Sequence, residues 1–334
     1  MTPDTLDSLS SDLQHAVRDA YVIEHELGIG GGVRRDAPQL SARVFVAREL
    51  AVSRQVVLTV VSDELAARVD AERFRREIEL AAELRHPQIV ALLAAGASGR
   101  FLYYTMPYLE ADSLRHWLDA SGGRLPIREA LRIGADVAGA LQAAHEQGFV
   151  HRDVRPENVL LTGRHAVVTN VGAARAVCRS LVARDAERRV LDEASAPDGH
   201  AHPRLLVGTP CYMSPEQTSG ATNLDGRSDV YSLGCILYEM LTGTRPFSGT
   251  PGEVLRWRRT ALPEPPRRRR EELPLSLDRI VMKALATKAE ARYATAGELQ
   301  RALLAAPASA PRCPIAGGAI AALQGVRLGM CRWR

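Results

Sequence analysis

Residues 151–158, His-Arg-Asp-Val-Arg-Pro-Glu-Asn, constrain this chain more than any other stretch. Their spacing places a carboxylate, Asp153, and five residues on a carboxamide, Asn158, in one tight loop. Apolar residues at helical intervals from Ile127 to Gln147 predict a helix that leads straight into this loop. Two short apolar runs, Val159 to Thr162 and His165 to Thr169, predict a hairpin directly after it.

The surrounding chain divides into a strand-rich part and a helix-rich part. At 334 residues it is long enough for one large two-lobed domain or two ordinary ones. Residues 1–20 carry Leu6, Leu9, Leu13 and Val17 at helical spacing and read as a short helix or lead-in that packs or links. Strands are predicted at Tyr21 to Leu27, Arg43 to Arg48, Gln55 to Val61, Val90 to Ala95 and Phe101 to Pro107. Between them, Phe74, Ile78, Ala81 and Ala82 define an amphipathic helix from about Asp70 to Leu84, ended by His86-Pro87.

Beyond Pro107 the pattern is mostly helical, with further helices near Asp112 to Ala120, Arg227 to Thr242, Leu277 to Ala286 and Thr295 to Leu304. Residues 173–207 are charged, contain Gly and Pro, and have weak periodicity, which reads as a mobile loop. Pro263 to Arg270, with four consecutive arginines, reads as a solvated turn or loop. The Ala- and Pro-rich segment 305–314 reads as a linker, and the run Ile315 to Leu323 is shorter than the roughly 20 apolar residues a membrane span takes.

Composition excludes several classes. With 46% apolar and 25% charged residues the chain is globular. The polar, acidic first 20 residues lack the signature of a signal peptide, so a cytoplasmic location is expected. Five scattered cysteines without a C-x-x-C pair fit free thiols better than zinc or a disulfide framework. Of 43 basic residues only Lys283 and Lys288 are lysines, an arginine bias without the aromatic interleaving of a nucleic-acid reader.

The loop fits the pattern H-R-D-L-x-x-x-N, with Val154 for Leu, and residues 21–304 resemble the protein kinase family, most closely the bacterial serine/threonine kinases. The resemblance implies an α+β, two-lobed protein kinase fold: a small antiparallel β lobe with one helix (21–107) and a larger, mainly helical lobe (108–304), with a tail at 305–334. Pro107-Tyr108-Leu109 would be the hinge. Asp153 would take the proton of a substrate hydroxyl, and Asn158 would hold magnesium on ATP phosphates. Leu27, Gly28, Gly30 and Gly31 match the phosphate-cradling glycine-rich loop, Glu77 the helix glutamate that pairs with a strand lysine, and Val44, Val57, Leu109 and Leu160 the apolar walls around adenine. Ser214-Pro215-Glu216, Asp229 and Arg292 match structural motifs of the large lobe, with Asp229 bracing the catalytic loop and Arg292 pairing with Glu216.

The same motifs expose departures. Thr59 stands where the strand lysine should hold the α- and β-phosphates, and the chain has no lysine before Lys283. Asn170-Val171-Gly172 stands for Asp-Phe-Gly, replacing a metal-binding carboxylate by an amide. Magnesium is a hard cation that prefers carboxylates, so its binding at Asn158 and Asn170 is expected to be weak or absent, with ATP left open as a ligand. Arg155 replaces the catalytic-loop lysine, keeping charge and changing geometry. Residues 32–40 look like an insertion in the glycine-rich loop, and the long segment offers Ser180 and Ser195 for phosphorylation. The expected function is a pseudokinase, a cytoplasmic regulatory or binding module for a protein partner such as an active kinase, with no nucleic acid and no membrane span. The alternative is an active serine/threonine kinase using Asp153 as base, with Arg34 or Arg35 supplying the missing cation.

Overall fold

A computed structural model of the chain describes residues 3–30, 42–163, 165–181, 211–221 and 223–308. The small lobe is a five-stranded antiparallel sheet: β1 Tyr21–Gly30, β2 Ala42–Glu49, β3 Arg54–Val60, β4 Ala94–Ser98 and β5 Phe101–Pro107, in the order β1-β2-β3-β5-β4. Side chains alternate between the faces of a strand, and both faces here are apolar. On one, Phe45, Ala47, Val56, Leu58, Val60 and Phe101 pack under Leu13 and Val17 of helix α1, Pro3–Val17. The other face contributes Val57, Leu102, Tyr104 and Met106 to the main core. The lead-in is thus a helix that covers the outer face of the sheet.

A single-turn helix α2, Asp63–Ala66, follows β3, and α3 spans Ala71–Ala82. The Asp70 carboxylate caps α3 by accepting from Arg73 N at 2.7 Å. Phe74, Ile78 and Ala81 lie inward on α3, as the helical spacing predicts. The strand expected at Val90 to Ala95 begins only at Ala94. Residues 88–90 give their backbone to the large lobe instead: Val90 N donates to Val168 O and Val168 N to Gln88 O, both at 2.8 Å.

The large lobe has a small sheet of β6 Asp112–Ser113, β7 Val159–Thr162 and β8 His165–Val168, with helices α4 Leu114–Ala120 and α5 Ile127–Glu146 before the hairpin. Contrary to the expected loop across 173–207, residues 173–181 form a helix, α6. Ala173, Ala176, Val177, Ser180 and Leu181 make its buried stripe, a pattern of small residues that weakens the apolar signal without abolishing it. The rest of that segment, the insertion with Arg34 and Arg35, Gly31, Ser195 and the tail from 309 lie outside the described residues.

After α7, Pro215–Thr218, comes the central helix α8, Gly226–Thr242, in which every residue from Ser228 to Leu241 is buried. It ends at Gly243, whose φ of 82° is the left-handed C-cap that glycine adopts without strain. Helices α9 Pro251–Thr260, α10 Pro266–Arg269, α11 Leu275–Ala284 and α12 Ala296–Leu304 complete the lobe. The arginine run is therefore a helical turn with Pro266 at its first position. Its last member is no mere solvated charge, since Arg270 Nη1 donates to Leu125 O at 2.9 Å and Leu241 O at 3.1 Å. Among the described residues, no helix is long and apolar enough to cross a membrane.

Candidate active site

The loop 151–158 is held from below by α8. Asp229 is fully buried, and its carboxylate accepts from His151 N at 2.8 Å, Arg152 N at 2.9 Å and His145 Nε2 at 2.7 Å. Burial opposes its ionisation, but the His145 hydrogen bond and charge prevail and hold it below the ordinary aspartate range. This grip keeps Arg152 at a φ of 67°, a left-handed conformation that a non-glycine residue takes only when its surroundings impose it. The His151 ring bridges the loop: Nε2 donates to Thr169 O at 2.9 Å, while Nδ1 accepts from Asp153 N at 3.3 Å.

Asp153 and Asn158 meet as the sequence implies. Asn158 Nδ2 donates to Asp153 O at 2.8 Å and to Asp153 Oδ2 at 3.0 Å. Burial pushes the Asp153 carboxyl up, against the pull of Arg155, His151 and the Asn158 amide. Arg155 is itself buried, with its Nε on Glu157 Oε2 at 2.8 Å. Burial opposes charge on Glu157 too, yet Arg155 and Arg115 hold its carboxyl below the usual range.

At the next position the amides face each other. Asn170, at a φ of 62°, donates through Nδ2 to Asn158 Oδ1 at 3.0 Å, and its Oδ1 accepts from the Tyr104 hydroxyl at 3.1 Å. Tyr104 lies on β5 directly across from Thr59 of β3, which is 4% exposed. A row of hydrogen bonds therefore runs from Tyr104, the cross-strand neighbour of Thr59, through Asn170 and Asn158 to the Asp153 carboxyl. Sequence reasoning missed Tyr104, because an aromatic residue on an apolar strand carries no signal of a partner 66 residues away.

Glu77 is also committed. Arg175 Nε meets its Oε2 at 3.1 Å and Arg179 Nη1 its Oε1 at 2.9 Å, with the Glu77 side chain 9% exposed. Arg175 also donates to Gly148 O at 2.8 Å and stacks over Phe149 at 4.5 Å from the ring centroid. The fit is close at Gly172, φ 91°, where any Cβ would fall 2.5 Å from that of Ala81 on α3. The i, i+4 spacing of the two arginines was the available signal, diluted by the many other arginines in the segment.

Of the residues expected from the sequence to wall an adenine, Val57 is buried, and Val44, Leu109 and Leu160 are partly buried against the core. Leu27 is 49% exposed near the end of β1, and Gly28 and Gly30 lie on the same strand. The donors described fit magnesium poorly: Asn170 offers a neutral amide oxygen where the family pattern has a carboxylate, and no group of three His, Cys, Asp or Glu residues converges among the described residues.

A two-lobed fold, a braced H-R-D loop and the Glu216–Arg292 pair together define a protein kinase domain. The match is direct: the family model described as protein kinase domain covers residues 40–301, and the chain belongs to that family. It is 37% identical over 293 residues to the serine/threonine-protein kinase PknB of Mycobacterium leprae, covering 86% of this chain and 43% of the relative. The PknB of Mycobacterium tuberculosis strain H37Rv is 38% identical over 293 residues, 86% of this chain and 42% of the relative. A probable serine/threonine-protein kinase of Clostridium perfringens is 34% identical over 259 residues, covering 77% and 35%. The chain spans less than half the length of these relatives.

Proposed function

We propose that this kinase domain is a pseudokinase, a regulatory or binding module whose phosphoryl transfer is lost or very weak. The observation that carries the reading is the capture of Glu77. Its partner by family pattern is a strand lysine, yet Thr59 is uncharged and buried, and the two arginines on Glu77 come from α6. Losing one preorganised electrostatic group costs about 10²- to 10³-fold in rate, and here the strand cation and the metal carboxylate are both replaced. An adenine ring would bind between Val44, Val57, Leu109 and Leu160 without magnesium. The partner we envisage is a protein, such as an active kinase. The free thiols of Cys178, Cys211 and Cys235 support a reducing, cytoplasmic setting.

The braced Asp153–Asn158 pair favours the rival reading, an active serine/threonine kinase with Asp153 as base. ATP binding by thermal shift with and without magnesium, followed by phosphate transfer to a generic basic protein with Asp153→Asn as control, separates the two. The pseudokinase gives no shift, or a magnesium-independent one, and no transfer. A magnesium-dependent shift with transfer abolished by Asp153→Asn overturns it.

A further inference from the structure

We infer that Tyr104 is the residue that locks this site against metal-bound triphosphates, so that restoring the two missing charges does not by itself restore a metal site. The inference rests on the pseudokinase reading and adds a third determinant to Thr59 and Asn170.

Tyr104 stands beside both substituted positions. The β3–β5 register sets it directly opposite Thr59. Its phenol donates to Asn170 Oδ1 at 3.1 Å. Its ring is 8% exposed and leans on Phe74 of α3, with centroids 6.4 Å apart, so the hydroxyl is aimed by packing. A phenol keeps its proton at neutral pH, so it is a hydrogen-bond donor and a poor magnesium ligand.

Three oxygens a cation would approach each already accept a hydrogen bond: Asn170 Oδ1 from Tyr104, Asn158 Oδ1 from Asn170 Nδ2, and Asp153 Oδ2 from Asn158 Nδ2. A cation entering this row competes with contacts made in a buried setting, where losing a partner is costly. Replacing Asn170 by Asp leaves the phenol donating to the new carboxylate. Replacing Thr59 by Lys drives an ammonium against the same phenol. The ligand class the floor turns away is a metal-chelated nucleoside triphosphate, while an uncharged adenine-type heteroaromatic makes no demand on it.

Calorimetric titration with ATP and magnesium tests this on Thr59→Lys/Asn170→Asp and on the same pair with Tyr104→Phe added. At least tenfold tighter magnesium-dependent binding in the triple variant is the expected result. Equal affinity in the two, whether measurable or absent, overturns the lock. A double-mutant cycle guards against misfolding of the charged variants. Tyr104→Phe lowers Tm by several degrees in the wild-type background and by less than half as much in an Asn170→Ala background. Strict additivity means that Tyr104 is a core ring alone, and overturns the inference as well. Phosphate transfer by the wild type would defeat the pseudokinase reading without altering the cycle, so the two failures are distinguishable.

Discussion

Asp153, the base of the rival kinase reading proposed above, has the energetics of a liability. Burial raises its pKa, with Arg155, His151 and the Asn158 amide only partly offsetting that. A group whose folded pKa lies above its unfolded value favours the protonated state, so at neutral pH its ionised form costs stability. Asp153→Asn is therefore expected to raise Tm at pH 7. The gain should shrink as pH falls and the wild-type carboxyl takes up its proton. Scanning calorimetry at pH 7 and pH 5 checks both statements, and a lower Tm for the variant at pH 7 would contradict them. Asn158→Ala points the other way. It removes the bonds to Asp153 O and Oδ2 and leaves the Asn170 amide without its acceptor, at about 1–3 kcal/mol.

At the scale of elements, the contact between α3 and α6 decides how the small lobe is held. Glu77 has two unequal partners: Arg175 is 13% exposed and Arg179 is 49% exposed. An ion pair half in water contributes about 0–1 kcal/mol, whereas Arg175 adds a carbonyl contact and a ring stack. Arg175→Ala is expected to cost about 2 kcal/mol, Arg179→Ala well under 1. Hydrogen exchange should show faster labelling of 173–181 and of α3 in the first variant, with near wild-type labelling in the second. Equal effects would mean that Glu77 is held by its own burial. The sequence made α3, the small-lobe sheet, α5 and α8 legible, because their apolar periods run long. It left α6 unread because alanines carry its buried face, and it placed the start of β4 too early because residues 88–90 pair with β8 although the run that Val90 opens is apolar. Thr59, Glu77, Asn158 and Asn170 were found by motif, but the contacts that bind them, through Tyr104, Arg175 and Arg179, join distant strands and helices that no local pattern reports.

Across the whole molecule, paired acids of the large lobe contribute a pH-dependent part of stability. Glu216 accepts from Arg292 Nη1 at 2.7 Å, from Arg292 Nη2 at 2.8 Å and from the Ser228 hydroxyl at 2.6 Å, tying α7 to α8 and to the turn before α12. Burial works against its charge, but Arg292 and Ser228 win and its pKa is lowered. A depressed folded pKa means that the stabilisation is fully present above the unfolded value near 4.5 and is lost as pH falls through the folded value. Asp229, also lowered, loses its contribution in the same direction. Glu216→Gln imitates the protonated acid while keeping the shape. At pH 7 it should destabilise the domain by about 1–3 kcal/mol, as for a hydrogen bond to a charged group. As pH falls from the unfolded value through the folded one, the wild type loses the charge that distinguishes it, so the denaturation midpoints of the two proteins should converge. Urea titrations from pH 7 to pH 3.5 test this: a gap that stays constant with pH would show that the Glu216 charge adds nothing to the fold and that shape alone holds the junction.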